Sequence, residues 1–209
     1  MFLHKKLRVK QLVEDLKKAE HGFKYIIVAG EELLADKSVD HFNIACNLMT
    51  EPSFQARMLA TYLLGKLWTL SNNNALQLLK TKVAKDDNLR VQEMLAKVID
   101  SYCKTKGYEN SLIIIQEWLN DKNPNLKRAV IEGLRIWTGR PYFQDNPLMA
   151  IKLISEHKNN ESEYVRKSAG NALRDIGKKH KELVLKEIAT WDLTDPKVSF
   201  TQKLVVKNN

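Results

Sequence analysis

Cysteine is nearly absent: Cys46 and Cys103 are the two thiols in 209 residues. No histidine stands at ligand spacing beside either, which excludes a disulfide scaffold and a Cys/His metal site. Both lie in apolar helical runs and read as buried thiols of a reducing compartment. Glycine, with 8 residues, and proline, with 5, are too scarce for the many turns of an all-β fold. No stretch approaches the roughly 18 apolar residues of a membrane span. The start, Met1-Phe2-Leu3-His4-Lys5-Lys6, lacks the apolar core of a signal peptide, so a cytoplasmic location is expected. A Gly-rich phosphate loop and a nucleophile motif are also missing, and neither metal nor nucleotide cofactor is expected.

What the chain does hold is apolar weight and positive charge. Hydrophobic residues make up 44% of it, enough for a sizeable core in one monomeric domain over 1–209. Leu, Ala, Lys, Glu, Gln, Met and Arg dominate, which favours helix before any pattern is read. Lys and Arg total 34 against 25 Asp and Glu, a net charge of +9. Such a surplus favours a polyanionic partner: nucleic acid, an anionic membrane or an acidic protein.

Helical spacing runs almost end to end. Leu12, Leu16 and Ala19 share a face, and His21-Gly22 ends that helix, with Gly22 suited to a left-handed cap. Ile26, Ile27, Leu33 and Leu34 mark a second helix. Phe42, Ala45, Cys46 and Met49 mark a third, closed by Glu51-Pro52. Further helices are predicted over 53–70, 74–84, 89–102, 108–119, 126–137, 147–157, 164–179 and 181–190. The segment after Asp192 reads as either a last helical cap or a loose end. His21, His41, His157 and His180 fall near helix ends and read as exposed or capping.

The second helix of each pair opens alike, on Phe54-Gln55-Ala56-Arg57, Leu89-Arg90-Val91-Gln92, Leu126-Lys127-Arg128 and Tyr164-Val165-Arg166-Lys167. With Arg57, Gln92, Arg128 and Arg166 taken as equivalent, the steps are 35, 36 and 38 residues. Helix-pair repeats have periods of roughly 34 to 47. The turns Asp86-Asp87-Asn88, Asp121-Lys122-Asn123-Pro124 and Asn159-Asn160-Glu161-Ser162 supply oxygens to cap the helices that follow. The pattern predicts an all-α, right-handed α-solenoid of HEAT-like helical pairs with a concave basic groove. Its inner wall would carry Arg57, Arg90, Lys127, Arg128, Arg135, Arg166, Lys167 and Arg174, a row of cations able to track phosphates. Cations near a helix start oppose its dipole, so their recurrence there calls for a reason.

Two segments carry the chemistry. In Glu132-Gly133-Leu134-Arg135-Ile136-Trp137-Thr138-Gly139-Arg140-Pro141-Tyr142-Phe143, acid and base lie one turn apart, and arginines alternate with aromatics suited to stacking on bases. Trp137 and Tyr142 would contact the base, with Arg140 in a loop; packing of the repeat core is the structural alternative for the aromatics. In Tyr164-Val165-Arg166-Lys167-Ser168-Ala169-Gly170-Asn171-Ala172-Leu173-Arg174-Asp175, the mid-helix Gly170 implies a close approach, and Asn171, Arg174 and Asp175 form a polar patch.

These segments, with Asn123-Pro124-Asn125-Leu126-Lys127-Arg128-Ala129-Val130-Ile131, resemble the AlkC/AlkD superfamily of DNA alkylation-repair glycosylases. The likeness is strong from about Asp86 to Trp191. It implies excision of cationic alkylpurines, such as 3- and 7-alkylated bases, from duplex DNA held in the groove while the lesion stays largely stacked. The departing base is already cationic, so the enzyme must stabilise a developing oxocarbenium sugar. The resemblance assigns Glu132 and Asp175 to that role, Arg174 to DNA contact, and Trp137 and Trp191 to aromatic positions. Leu89 and Glu93 stand where the AlkD-like branch carries a tryptophan and its key aspartate, so Glu93 is a third acid candidate. Two alternatives stay open: a non-catalytic reader of damaged or branched DNA, and a protein-interaction scaffold.

Overall fold

The computed structural model describes residues 2–18 and 22–207; Ala19 and His21 lie outside the described residues. Among these the fold is all-α, built of HEAT-like helix pairs. The helices are α1 (Phe2–Lys17), α2 (Lys24–Ala35), α3 (His41–Leu48), α4 (Phe54–Thr69), α5 (Asn73–Thr81), α6 (Leu89–Lys106), α7 (Leu112–Asn120), α8 (Pro124–Trp137), α9 (Pro147–Ser155), α10 (Glu163–Gly177), α11 (Lys181–Ile188) and α12 (Pro196–Val206), with a 3-10 turn at Val83–Lys85. The segment after Asp192 is thus a helix. No described helix is long and apolar enough to cross a membrane.

Contacts divide the chain into two compact units, Met1–Thr105 and Lys106–Asn209. In the first, α2, α3 and α5 all pack on α4, whose Ala56, Leu59, Leu63 and Leu64 are wholly inaccessible. In the second, α10 lies between α8 and α12. Its Val165, Ala169, Ala172 and Leu173 are buried with Leu126, Val130 and Leu134 of α8.

The close approach expected at Gly170 is made by α12. A Cβ there would stand 2.7 Å from Leu204 Cβ and 3.0 Å from the Thr201 carbonyl oxygen, a backbone atom that cannot swing away. Gly170→Ala is therefore expected to lose stability although alanine is the better helix former. Urea unfolding should show a loss of about 1–3 kcal/mol, the usual cost of overpacking.

A short device repeats at the start of each second helix. The side chain two residues before the cap accepts the cap residue's amide: Asp86 from Asn88 (2.9 Å), Asp121 from Asn123 (2.8 Å) and Asn160 from Ser162 (3.0 Å). Ser53, Asn88, Asn123 and Asp195 then accept an amide from the first turn of their helices, as the turn chemistry predicts. With Ser162 as the flanking residue of α10, the starts fall at 53, 88, 123, 162 and 195, steps of 35, 35, 39 and 33 residues.

Four residues past these caps stand Arg57, Gln92, Lys127 and Arg166. Lys127, not Arg128, is therefore the true equivalent in α8. Each reaches back to a carbonyl of the preceding turn or helix. Arg57 donates to Glu51 O (3.0 Å) and Pro52 O (2.8 Å), Gln92 to Asp86 O (2.6 Å), Lys127 to Leu119 O (2.6 Å), and Arg166 to Asn160 O (2.6 Å) and Glu161 O (3.0 Å). Here is the reason for cations at helix starts: they satisfy carbonyls left over where the chain turns.

Several expected boundaries move. α7 begins at Leu112 because Gly107 takes a positive φ of 86°. Tyr108 is then buried in the turn, against Trp137 (5.3 Å between ring centroids) and Phe143 (6.0 Å). Cys103 is buried as expected, whereas Cys46 is half-buried. His157 is 6% exposed and so sits in the core, not at an exposed helix end.

Candidate functional site

The second unit brings three of the anticipated residues together. Arg135, on α8, is 3.2 Å from Glu132 one turn before it and 3.1 Å from Asp175 on α10. One guanidinium thus bridges two carboxylates on neighbouring helices. Lys178, which the sequence reading passed over, closes the group at 2.8 Å from the other oxygen of Asp175. Its spacing of three residues from Asp175 was the available signal. The hydrogen bond from Lys178 holds the Asp175 carboxyl below its ordinary range against the opposing effect of burial, helped by the charges of Lys178, Arg135 and Arg174. Glu132 and Asp175 side chains are 28% and 25% exposed, so both are held in place yet reachable from solvent.

Beside this group, the Arg128 guanidinium lies 4.8 Å from the ring centroid of Tyr164, a cation–π contact between α8 and α10. Tyr164 is exposed and presents an aromatic surface that the sequence reading did not weigh. Lys167 is exposed and pairs with Glu163 at 2.7 Å. Arg174 is half-buried next to Asp175.

Other expectations are overturned by burial and bonding. Trp137 has no exposed surface and Trp191 is 6% exposed. As placed, both are core residues and cannot meet a base: Trp137 packs with Tyr108 and Phe143, and Lys158 lies over Trp191. Tyr142 takes a positive φ of 68° in the α8–α9 connection and meets Met149 Sδ at 3.4 Å through its hydroxyl. Arg140 donates to the Tyr108 hydroxyl at 2.5 Å, which ties the loop to the aromatic cluster. Arg57 is 15% exposed and bound to Asp86 at 2.7 Å, with Asp86 itself 5% exposed. Arg166 stacks over Phe200 while capping the turn before its helix. Neither arginine forms an open phosphate contact, and Lys127, half-buried with its ammonium on Leu119 O, is in the same position.

In the first unit, Arg90 is exposed, Glu93 half-buried and Leu89 50% exposed at the start of α6. No group of three or more His, Cys, Asp or Glu residues that could hold a metal exists among the described residues.

His157 supplies a pH dependence away from this site. Burial, with the nearby Lys127 charge, pushes its pKa from 6.5 down to about 4. An unfolded chain takes up that proton near pH 6.5, the folded one only near pH 4. Stability is therefore full above pH 6.5, falls as pH drops toward 4, and changes no further from this source below it. The span corresponds to roughly 3 kcal/mol. Urea unfolding of wild type and His157→Leu across this range should show a steeper loss in wild type; equal slopes would remove the assignment.

Comparison with known proteins follows this geometry closely. A family model described as DNA alkylation repair enzyme matches residues 27–202. The chain belongs to the DNA alkylation repair enzyme family. AlkD2 from Streptococcus mutans is 42% identical, with a TM-score of 0.87 over 97% of this chain and 98% of that one. Alkylpurine DNA glycosylase AlkC from Pseudomonas fluorescens, solved bound to DNA containing an abasic site analog, is 21% identical. Its TM-score is 0.66 over 88% of this chain and 51% of AlkC, a likeness of fold alone. Protein YhaZ of Bacillus subtilis (strain 168) is 32% identical over 92 residues. The match takes in 42% of this chain and about a quarter of YhaZ, 26%. Within the alkylation-repair family model fall Glu132, Arg135, Asp175 and Lys178, all of the acid–base group.

Proposed function

We propose that this alkylation-repair protein binds duplex DNA and hydrolyses the N-glycosidic bond of cationic alkylpurines, with Asp175 or Glu132 as the stabilising carboxylate. The observation that carries the reading is the Arg135 guanidinium bridging those two acids across α8 and α10. An alkylpurine leaves as a neutral base, so its bond electrons go with it and positive charge develops on the deoxyribose. A carboxylate kept ionised beside that sugar favours the charged transition state, and it can orient the water that adds to the anomeric carbon. The added water gives its second proton to solvent, leaving an abasic site. Arg135, Arg174, Lys178, Arg128 and Lys167 supply cations for the phosphates on either side. The DNA-bound state of AlkC is in keeping with a DNA partner. The reading is tested by release of 7-methylguanine and 3-methyladenine from duplex DNA.

A second reading, binding of damaged or branched DNA without excision, is favoured by one observation. Leu89, 50% exposed, stands where the resemblance places a tryptophan, and Trp137 and Trp191 are buried. A leucine has no π face with which to attract a cationic base. Salt-sensitive binding with no base release above the spontaneous rate is the expected outcome under this reading.

A further inference from the structure

A second acid–base rung lies in the first unit, between α2 and α4. Glu31 accepts hydrogen bonds from the Tyr62 hydroxyl and from Lys66 Nζ, the latter at 2.8 Å. Lys66 also lies 5.3 Å from the Tyr62 ring centroid. Those two hydrogen bonds hold the Glu31 carboxyl below its ordinary range. The ring is fixed by Gly30 of α2, where a Cβ would fall 2.2 Å from Tyr62 Cδ1. The rung is solvent-facing: side-chain exposure is 35% for Lys66 and 54% for Glu31.

The position of this rung in the repeat is informative. Tyr62 and Lys66 stand nine and thirteen residues past the cap Ser53 of α4. Glu132 stands nine past Asn123 of α8, and Asp175 thirteen past Ser162 of α10. Equal offsets from the cap put side chains on the same face of a second helix. Residue thirteen reaches an earlier helix in both cases: Asp175 to Arg135 of α8, and Lys66 to Glu31 of α2. The signs are reversed. In the second unit an acid stands at that position and a cation faces it, whereas in the first a cation stands there and an acid covers it.

We propose that Lys66, steadied by Tyr62, is a phosphate contact for duplex DNA in the first unit, and that Glu31 occupies the phosphate's place until DNA displaces it. The inference rests on the DNA-binding reading above, and it fills the place that Arg57 vacates. A carboxylate and a backbone phosphate offer the same oxygens to an ammonium and a phenol. Glu31 therefore weakens binding by competing for Lys66 and by repelling the backbone.

Binding of a fluorescein-labelled DNA duplex, measured by anisotropy over a series of sodium chloride concentrations, tests this with wild type, Glu31→Gln, Lys66→Gln and the double variant. Glu31→Gln should bind roughly tenfold more tightly at low salt and steepen the log K against log salt slope by about 0.9, one further phosphate contact. Lys66→Gln alone should weaken binding, and adding it to Glu31→Gln should abolish the gain and return the slope. Thermal melting of each variant confirms that folded proteins are compared. Should wild type bind while Glu31→Gln and the double variant match it in affinity and slope, the rung is only a brace between α2 and α4. The inference then fails while the DNA-binding reading stands. If neither wild type nor Glu31→Gln binds duplex DNA at low salt, both fall.

Discussion

Asp175→Asn is expected to lower single-turnover release of 7-methylguanine by about 10²–10³-fold while changing the affinity for undamaged duplex by little. The amide keeps the shape of the carboxyl and loses the charge that opposes the developing sugar cation. Affinity should hold because removing an anion beside Arg135 and Lys178 does not weaken their hold on phosphate. Glu132→Gln measured in parallel separates the two acids. A large loss in only one identifies the carboxylate that faces the sugar, whereas wild-type rates in both move the chemistry to Glu93 or elsewhere.

The second large effect concerns stability. Arg57→Ala is expected to cost roughly 3–5 kcal/mol, because it strands the nearly buried Asp86 carboxylate. It also removes the donor to Glu51 O and Pro52 O. Arg57→Gln should be milder, since Gln92 at the equivalent position of α6 makes the same return to an i−6 carbonyl with an amide. DNA affinity per folded molecule should be unchanged in both. A drop in affinity with unchanged unfolding would return Arg57 to the phosphate-binding set.

Arg57 shows what could and could not be read in the chain. Recurrence of a cation shortly after each helix start is visible in the sequence, and it located the repeats to within a residue. Its purpose is not visible there. A phosphate-tracking arginine and an arginine folded back onto its own turn leave the same mark, and only the distances to Glu51 O and Asp86 separate them. The one-residue slip at Arg128 has a related cause: two adjacent cations compete for one register, and the cap Asn123 decides for Lys127.

The acid–base group was legible to a greater extent. Glu132 and Arg135 lie one turn apart on a helix with strong apolar periodicity, and Gly170 announced the close packing of α10. Which helix Asp175 would face was beyond reach, because that depends on how α8 and α10 pack. The aromatics misled for a physical reason. Trp137 ends α8 on the same stripe as Val130 and Leu134, and a large side chain in that stripe goes to the core. Tyr164, two residues past the start of α10, was the exposed ring instead. His157 was misplaced because it follows α9 closely and looked like a chain end, yet it continues the stripe of Leu153 and Ile154 into the core.

The most direct measurement is base release from duplex DNA carrying 7-methylguanine and 3-methyladenine, with wild type and Asp175→Asn run side by side. The account predicts release above the spontaneous rate by wild type and its near loss in the variant. Salt-sensitive binding of the same duplex with no release by wild type would contradict the glycosylase and leave a reader of DNA.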